Sequence, residues 1–302
     1  MQIINTLVAR AIPLIPRGVI QKVSRRYIAG ATLAEAVSRI QQLNAQGFCV
    51  TVDVWGEAVV NWQQVNDFAD EYNLVLQAIG KQQLDAGVSI KPSALGLLLD
   101  VSVCEDMLER LLEVAKVHNS GVCLDMEDLN CTQKEIELFE RVKPRHAHLA
   151  LAVQAYLKRT DEDLERLVLC KGPLRMCKGI YLEDKSCLVE DALKDRRAIN
   201  SHFLRHVQRC FDTDTFVGIA THDAALIEQV IALIQRCEVD RSVFEFQMLL
   251  GVCEPLRDKL RDMGFVVRIY VPYGKDWYGY STRRMKENPR IAGYVLRAMA
   301  GK

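Results

Sequence analysis

The stretch FVGIATHDAALIEQVIALIQRCEVDRSVFEF, residues 216–246, holds one complete repeat of the fold. Residues 216–220 form an apolar run of strand length, and 243–246 form another. Between them Leu226, Ile227, Val230, Ile231 and Ile234 recur at the spacing of one helical face. An apolar strand, an amphipathic helix and a second apolar strand imply parallel strands covered on one face by the helix. Working outward, runs of the same kind recur at 48–54, 87–90, 121–124, 148–153, 174–177 and 266–271. The repeats favour closure into a (β/α)8 TIM-like barrel. An open doubly wound sheet is the structural alternative. It normally binds a dinucleotide through a Gly-x-Gly-x-x-Gly turn, which this sequence lacks, as it lacks a P-loop. Gly47, Gly87, Gly121, Gly172 and Gly264 stand just ahead of strands, where a left-handed residue ends the preceding helix. Thr132 and Glu135 have the spacing of a capping box.

Composition narrows the classes. A barrel runs to roughly 250 residues as one unit, so 302 residues need no division into two globular domains. Residues 1–45 read as an N-terminal helical segment and 46–302 as the barrel. With 39 basic and 39 acidic residues there is no general electrostatic footprint for nucleic acid. The ten cysteines are scattered without a Cys-x-x-Cys pair and read as reduced thiols of a cytosolic-type compartment, most of them small buried apolar groups. No apolar run reaches the roughly 18 residues of a membrane span. The first 34 residues carry no acid, yet hold Arg10, Arg17, Lys22, Arg25 and Arg26 among apolar residues. Such a segment suits an anionic membrane surface or a transit peptide. A leading helix packed on the domain is the other reading, and Pro13 and Pro16 interrupt a continuous helix.

Barrel enzymes keep their chemistry at the C-terminal ends of the strands. Here strand 1 runs into Glu57 and strand 2 ends at Lys91. Strand 3 ends at Asp125, Met126, Glu127 and Asp128, and strand 4 at Gln154 with Tyr156 beyond. Strand 5 carries Arg175 and ends at Lys178 and Gly179; strand 6 ends at Thr221, His222 and Asp223. Strand 7 holds Glu245 and Gln247, strand 8 Arg268 and Tyr270. One charged residue after an apolar strand is ordinary loop composition. A set from every strand, rich in Lys and Arg, suits an anionic ligand bearing phosphate or carboxylate. Other constellations are weaker. His146 and His148 precede strand 4, at the wrong end of the barrel. His202 and His206 share a helix face without a third ligand, which reads as a solvated surface rather than a metal site. There is no Gly-x-Ser-x-Gly elbow. Glu57 and Asp125 could suggest glycoside hydrolysis, but the surrounding cations would lower both pKa values and remove the acid partner.

These motifs resemble the proline dehydrogenase family. The resemblance rests on Leu124-Asp125-Met126-Glu127-Asp128, Gln154-Ala155-Tyr156-Leu157-Lys158-Arg159 and Lys178-Gly179-Ile180-Tyr181. It continues through Ala220-Thr221-His222-Asp223, residues 244–249 and 268–274, and Tyr280-Ser281-Thr282-Arg283-Arg284. The blocks stand in the family's order over about residues 45–290, in a monofunctional form.

The resemblance implies a distorted barrel with non-covalent FAD and a final helix over its mouth. It implies oxidation of L-proline by hydride transfer from C5 to flavin N5, with electrons passed to quinone. Lys91, Arg283 and Arg284 match the carboxylate-binding positions, and Asp125 matches the active-site aspartate, expected to pair with Lys91. Arg175 matches the arginine beside flavin N5 and the N1–C2 edge, where positive charge favours reduced flavin. Met126, Gln154, Lys178, Gly179, Ile180, Thr221, His222 and Glu287 match positions lining FAD. Tyr181, Leu249, Tyr270 and Tyr280 match the walls around the proline ring, and Tyr280 is expected to select proline over hydroxyproline. Glu57 matches a gate that pairs with the first arginine of the doublet. Quinone as acceptor gives the basic N-terminus a peripheral membrane role, on a cytoplasmic protein or at the inner mitochondrial membrane of a eukaryote.

Several positions depart from the family's pattern. Pro92 follows Lys91 in place of leucine, Cys177 and Ile180 flank Lys178-Gly179, and Leu182 stands where some members stack tryptophan near adenine. The alternatives are a barrel without flavin acting on a phosphorylated substrate, and a binding barrel without activity. The intact Arg175, Arg283 and Arg284 oppose the second.

Overall fold

The computed structural model describes residues 24–55 and 59–275. Eight parallel strands close into a barrel in chain order. They are β1 (Cys49–Val54), β2 (Ala86–Ile90), β3 (Val122–Leu124), β4 (Leu149–Gln154), β5 (Leu174–Cys177), β6 (Val217–Ala220), β7 (Phe244–Leu249) and β8 (Val267–Tyr273). Closure is made by β8 pairing with β1, from Cys49 opposite Arg268 to Val54 opposite Tyr273. Each strand lies within a few residues of its expected run.

Period-2 alternation sorts the side chains. Val50, Val52 and Val54 of β1, Val88 and Ile90 of β2, and Val217 and Ile219 of β6 are buried among the apolar side chains of the core. The residues between them, such as Thr51, Asp53 and Ser89, project into the barrel, because strand side chains point alternately to the two faces. The outer layer is α1 (Leu33–Asn44), α2 (Trp62–Lys81), α3 (Val101–Val117), α4 (Leu129–Val142), α5 (Thr160–Leu167), α6 (Asn200–Asp212), α7 (Ala224–Arg236) and α8 (Glu254–Asp262). Helix α1 packs on β1 and β8 and so covers the closing seam of the barrel. Its start is fixed by a capping box in which the Thr32 hydroxyl accepts from the Glu35 amide and Glu35 accepts from Thr32. Among the described residues no helix is long and apolar enough to cross a membrane.

Three local expectations are corrected. Thr132 is not a cap: α4 begins earlier, capped by the Asp128 carboxylate, and the Thr132 hydroxyl donates to the Asp128 carbonyl. Of the five glycines, Gly47 and Gly264 are left-handed, while Gln83, Asn119 and Lys171 take that conformation ahead of β2, β3 and β5. In these turns the chain reverses before the glycine is reached. His206 does not face solvent; it is buried, and its Nε2 lies 3.0 Å from the Asp161 carboxylate, which also receives Arg205.

Candidate active site

The inward side chains converge on Asp125, the first residue after β3. Its Oδ1 accepts from the Ser89 hydroxyl and from Arg175 Nη1, both in very short contacts. Its Oδ2 accepts from the Tyr270 hydroxyl at 2.5 Å and lies 3.9 Å from Lys91 Nζ. Burial alone would push the Asp125 carboxyl up. Arg175, then Lys91 and the hydrogen bonds from Ser89 and Tyr270, hold it below the usual carboxylate range. Burial and the neighbouring Asp125 charge push the Tyr270 phenol well above its ordinary value, so it stays a donor.

Arg175 is the second residue of β5 and lies deep in the barrel, 6% exposed. Its Nε donates to Gln247 Oε1 at 2.6 Å, and its Nη1 also donates to the Ser89 hydroxyl at 2.9 Å. Gln247 Nε2 in turn donates to Glu245 at 2.7 Å. Arg268 grips both oxygens of Glu245, at 2.6 and 3.0 Å, and donates to the Val50 carbonyl. Glu245 and Arg268 thus form the network's lower end rather than part of the rim. A charge chain replaces the branched apolar layers that usually fill such a barrel.

Lys91 follows β2, and Pro92 opens a short 3₁₀ turn behind it, a position where proline needs no amide hydrogen. The expected ion pair with Asp125 is present at 3.9 Å, but the closer partner is Asp53 Oδ1 at 2.8 Å. The Trp55 ring centroid stands 5.2 Å from the ammonium. Burial disfavours the lysine's charge; Asp53, then Asp125, outweigh it and raise its pKa.

The residues expected to line a cofactor ring the same mouth. Gln154 ends β4; its Nε2 donates to the Glu127 carbonyl at 2.9 Å, and its Oε1 is buried with no hydrogen-bond partner among the described residues. Lys178 Nζ pairs with Asp223 at 2.6 Å, and Asp223 also caps α7. Gly179 has φ +101° with its Cα against the Tyr156 ring, and its carbonyl accepts from Arg196. Thr221 is buried, and its hydroxyl accepts from the Asp223 amide. His222 Nε2 accepts from the Leu249 amide at 2.9 Å, which places the neutral ring's proton on Nδ1. The Tyr181 hydroxyl donates to the Met126 carbonyl at 3.3 Å, and Leu249 is half-buried at the end of β7. Ile180 and Leu182 are exposed on the loop after β5. Glu57, Tyr280, Arg283, Arg284 and Glu287 lie outside the described residues.

Beneath Gln154, Glu127, Cys131 and Glu135 bring ligand atoms within 4.8 Å of one another. Glu127 is engaged by the Ser93 amide and hydroxyl. Burial, then the Glu127 charge, pushes Glu135 up to about 9, so it is a neutral acid near pH 7.

Sequence reasoning gave no role to Asp53, Ser89 or Trp55, and none of its own to Gln247 beyond a place in the rim set. A signal existed: Asp53 is the charged residue inside the apolar run 48–54, on the inward phase shared with Thr51.

A family model described as proline dehydrogenase matches residues 36–297. The chain is 33% identical over 279 residues to "Proline dehydrogenase 1" of Bacillus subtilis strain 168, covering 92% of this chain and 91% of the relative. It is 30% identical over 282 residues to "Proline dehydrogenase" of Deinococcus radiodurans, covering 91% and 89%. A crystal structure of proline utilization A from Bdellovibrio bacteriovorus, inactivated by N-propargylglycine, superposes with a TM-score of 0.80 at 20% identity. That match covers 89% of this chain and 33% of the longer one, and it concerns the fold.

Proposed function

Because the chain belongs to the proline dehydrogenase family, oxidoreductases acting on the CH–NH group of proline, we propose that it oxidises L-proline to Δ1-pyrroline-5-carboxylate with FAD and passes the electrons to quinone. The observation that carries this reading is the Lys91–Asp125–Arg175–Tyr270 cluster, which fixes cations and an aromatic wall at the barrel mouth. The residues present fit FAD. Gln154 offers a buried carbonyl oxygen that no donor among the described residues reaches, and Lys178 and Arg175 supply positive charge. The loop at Gly179 leaves no room for a Cβ, so backbone is what it presents. Gln154, Met126, Lys178, Gly179, Ile180, Thr221 and His222 would hold the cofactor, with Glu287 from the C-terminal segment.

When bound, FAD would supply the hydride acceptor for C5 of proline. The amine nitrogen loses a proton to solvent as the C5–N double bond forms, so a hydride and a proton, two electrons and two protons in all, leave the ring. Lys91, with Arg283 and Arg284, anchors the carboxylate and thereby fixes which ring carbon faces the acceptor. Tyr270 is held by its hydrogen bond to Asp125, which turns its ring into a rigid wall beside Tyr181 and Leu249. Tyr280 closes the C4 edge and selects proline over hydroxyproline, and Glu57 gates the first arginine. Burial disfavours the charge of Arg175, but its neighbours, Asp125 among them, outweigh that and push its pKa up, so it stays a cation. The basic N-terminus serves as a peripheral contact with the membrane that holds the quinone, the protein itself being cytoplasmic in kind.

Anaerobic addition of L-proline to the purified holoprotein should bleach its visible flavin band, and hydroxyproline should do so far more slowly. A colourless protein that FAD cannot reconstitute would favour a barrel for phosphorylated substrates instead. Arg284→Met should raise the KM for proline at least about 100-fold with FAD still bound, as expected when a bidentate anchor is lost; unchanged kinetics would refute the carboxylate assignment.

A further inference from the structure

The geometry assigns Asp53 as the residue that positions Lys91 for the substrate carboxylate, an inference that rests on reading Lys91 as part of the carboxylate subsite. Lysine is a flexible point charge on a four-carbon stem, so an anchor built on it needs something else to aim it. Asp125 is poorly placed to do so. Its two oxygens are already taken by Ser89, Arg175 and Tyr270, and it stands 3.9 Å from Nζ. Asp53 makes no comparable set of contacts among the described residues and holds Nζ at 2.8 Å. It projects from β1, hydrogen-bonded on either side to β2 and β8, and is 1% exposed, so its own position is set by the barrel wall. Trp55 closes another side of the ammonium with its ring. The Lys91 side chain remains 24% exposed, and among the described residues its ammonium has no carboxylate partner besides Asp53 and Asp125. Held at its base by the wall and at its head by Asp53, the ammonium is ordered before the substrate arrives. Binding then loses less side-chain freedom.

Two roles for Asp53 predict opposite signs. If it served only as a counter-charge, its removal would strengthen the local positive field and tighten the binding of an anion. If it aims Lys91, its removal loosens the binding of anions despite that stronger field. Asp53→Asn should raise the KM for L-proline about tenfold, the scale of a misaligned contact, with kcat at saturation little changed, because Asp53 touches no reacting atom. The inhibition constant of a five-membered ring carboxylate lacking the amine should rise in parallel. That of pyrrolidine, the amine without the carboxylate, should stay within about twofold. In a Lys91→Met background Asp53→Asn should add nothing, since its effect runs through the lysine.

Asp53→Glu keeps the charge and moves it by one methylene. It should show the same discrimination between carboxylate and amine, and it carries the test if the asparagine variant does not fold. Tighter or unchanged carboxylate binding, equal loss for both inhibitors, or a full effect in the Lys91→Met background would each overturn the assignment. A wild-type protein that neither binds the ring carboxylate nor is reduced by proline would instead overturn the functional reading on which this inference rests.

Discussion

At the residue scale, the site works by giving each buried charge a partner of known geometry. Removing one partner of a buried pair costs about 3–5 kcal/mol, because the other charge remains without water. The Arg175–Asp125 pair fits that case, with both residues below a tenth exposed. Glu135 is the opposite case: among the described residues it has no cation, and its Oε1 has no hydrogen-bond partner. Its carboxyl is pushed up to about 9, so the native protein keeps a proton that the unfolded chain releases near the ordinary glutamate range of about 4.3. Between those values the native state binds more protons, and stability falls as pH rises. Glu135→Gln removes that titration. Its melting temperature relative to wild type should climb steadily from pH 5 to pH 9, by about 2 °C or more overall; a pH-independent difference would mean that Glu135 is ionised in the folded protein.

At the element scale, the loop after β5 does the most with the fewest residues. Lys178 is tied to Asp223, the cap of α7, which links the β5 loop to the start of α7. Next to it Gly179 adopts φ +101° with its Cα against Tyr156, whose hydroxyl donates to the Tyr181 carbonyl. A side chain at residue 179 meets both a left-handed backbone and an occupied space. Gly179→Ala should lower stability by about 1 kcal/mol or more and weaken FAD binding more than it weakens the fold. Flavin release measured beside the melting temperature separates the two effects, and retention of flavin with normal affinity would remove Gly179 from the cofactor surface. The capping residues tell the same story of local chemistry: Thr32, Asn61, Asp100, Asp128 and Asp223 each accept an amide hydrogen at a helix start.

At the scale of the whole molecule, eight strands close without an edge, and their inner face is polar from Arg268 at the lower end to Lys91 at the mouth. The apolar core therefore lies outside the sheet, between strands and helices, where the branched residues of every strand are buried. All ten cysteines are free thiols, and Cys104, Cys123, Cys131, Cys177 and Cys210 are buried. Burial raises the buried thiols, to about 12 for Cys104, Cys131, Cys177 and Cys210 and to about 11 for Cys123, which keeps them protonated and unreactive in the native state. Thermal unfolding monitored by circular dichroism should give the same midpoint with and without a reducing agent. A lower midpoint in reductant would reveal a covalent staple and contradict this account.

The amino-acid sequence by itself determined the order of strands and helices, because strand runs and helical faces are periodicities of neighbouring residues. It also placed Lys91, Asp125, Gln154 and Lys178 at strand ends, since an apolar run must stop where the chain meets water. Tertiary structure decided who meets whom. Arg175 and Gln247 are 72 residues apart and hydrogen-bonded, and Lys91 finds Asp53, 38 residues back, in closer contact than Asp125. Such pairings depend on the stagger of strands around a closed barrel, which fixes the height of each inward side chain. No local pattern carries that information, because stagger is a property of all eight strands at once.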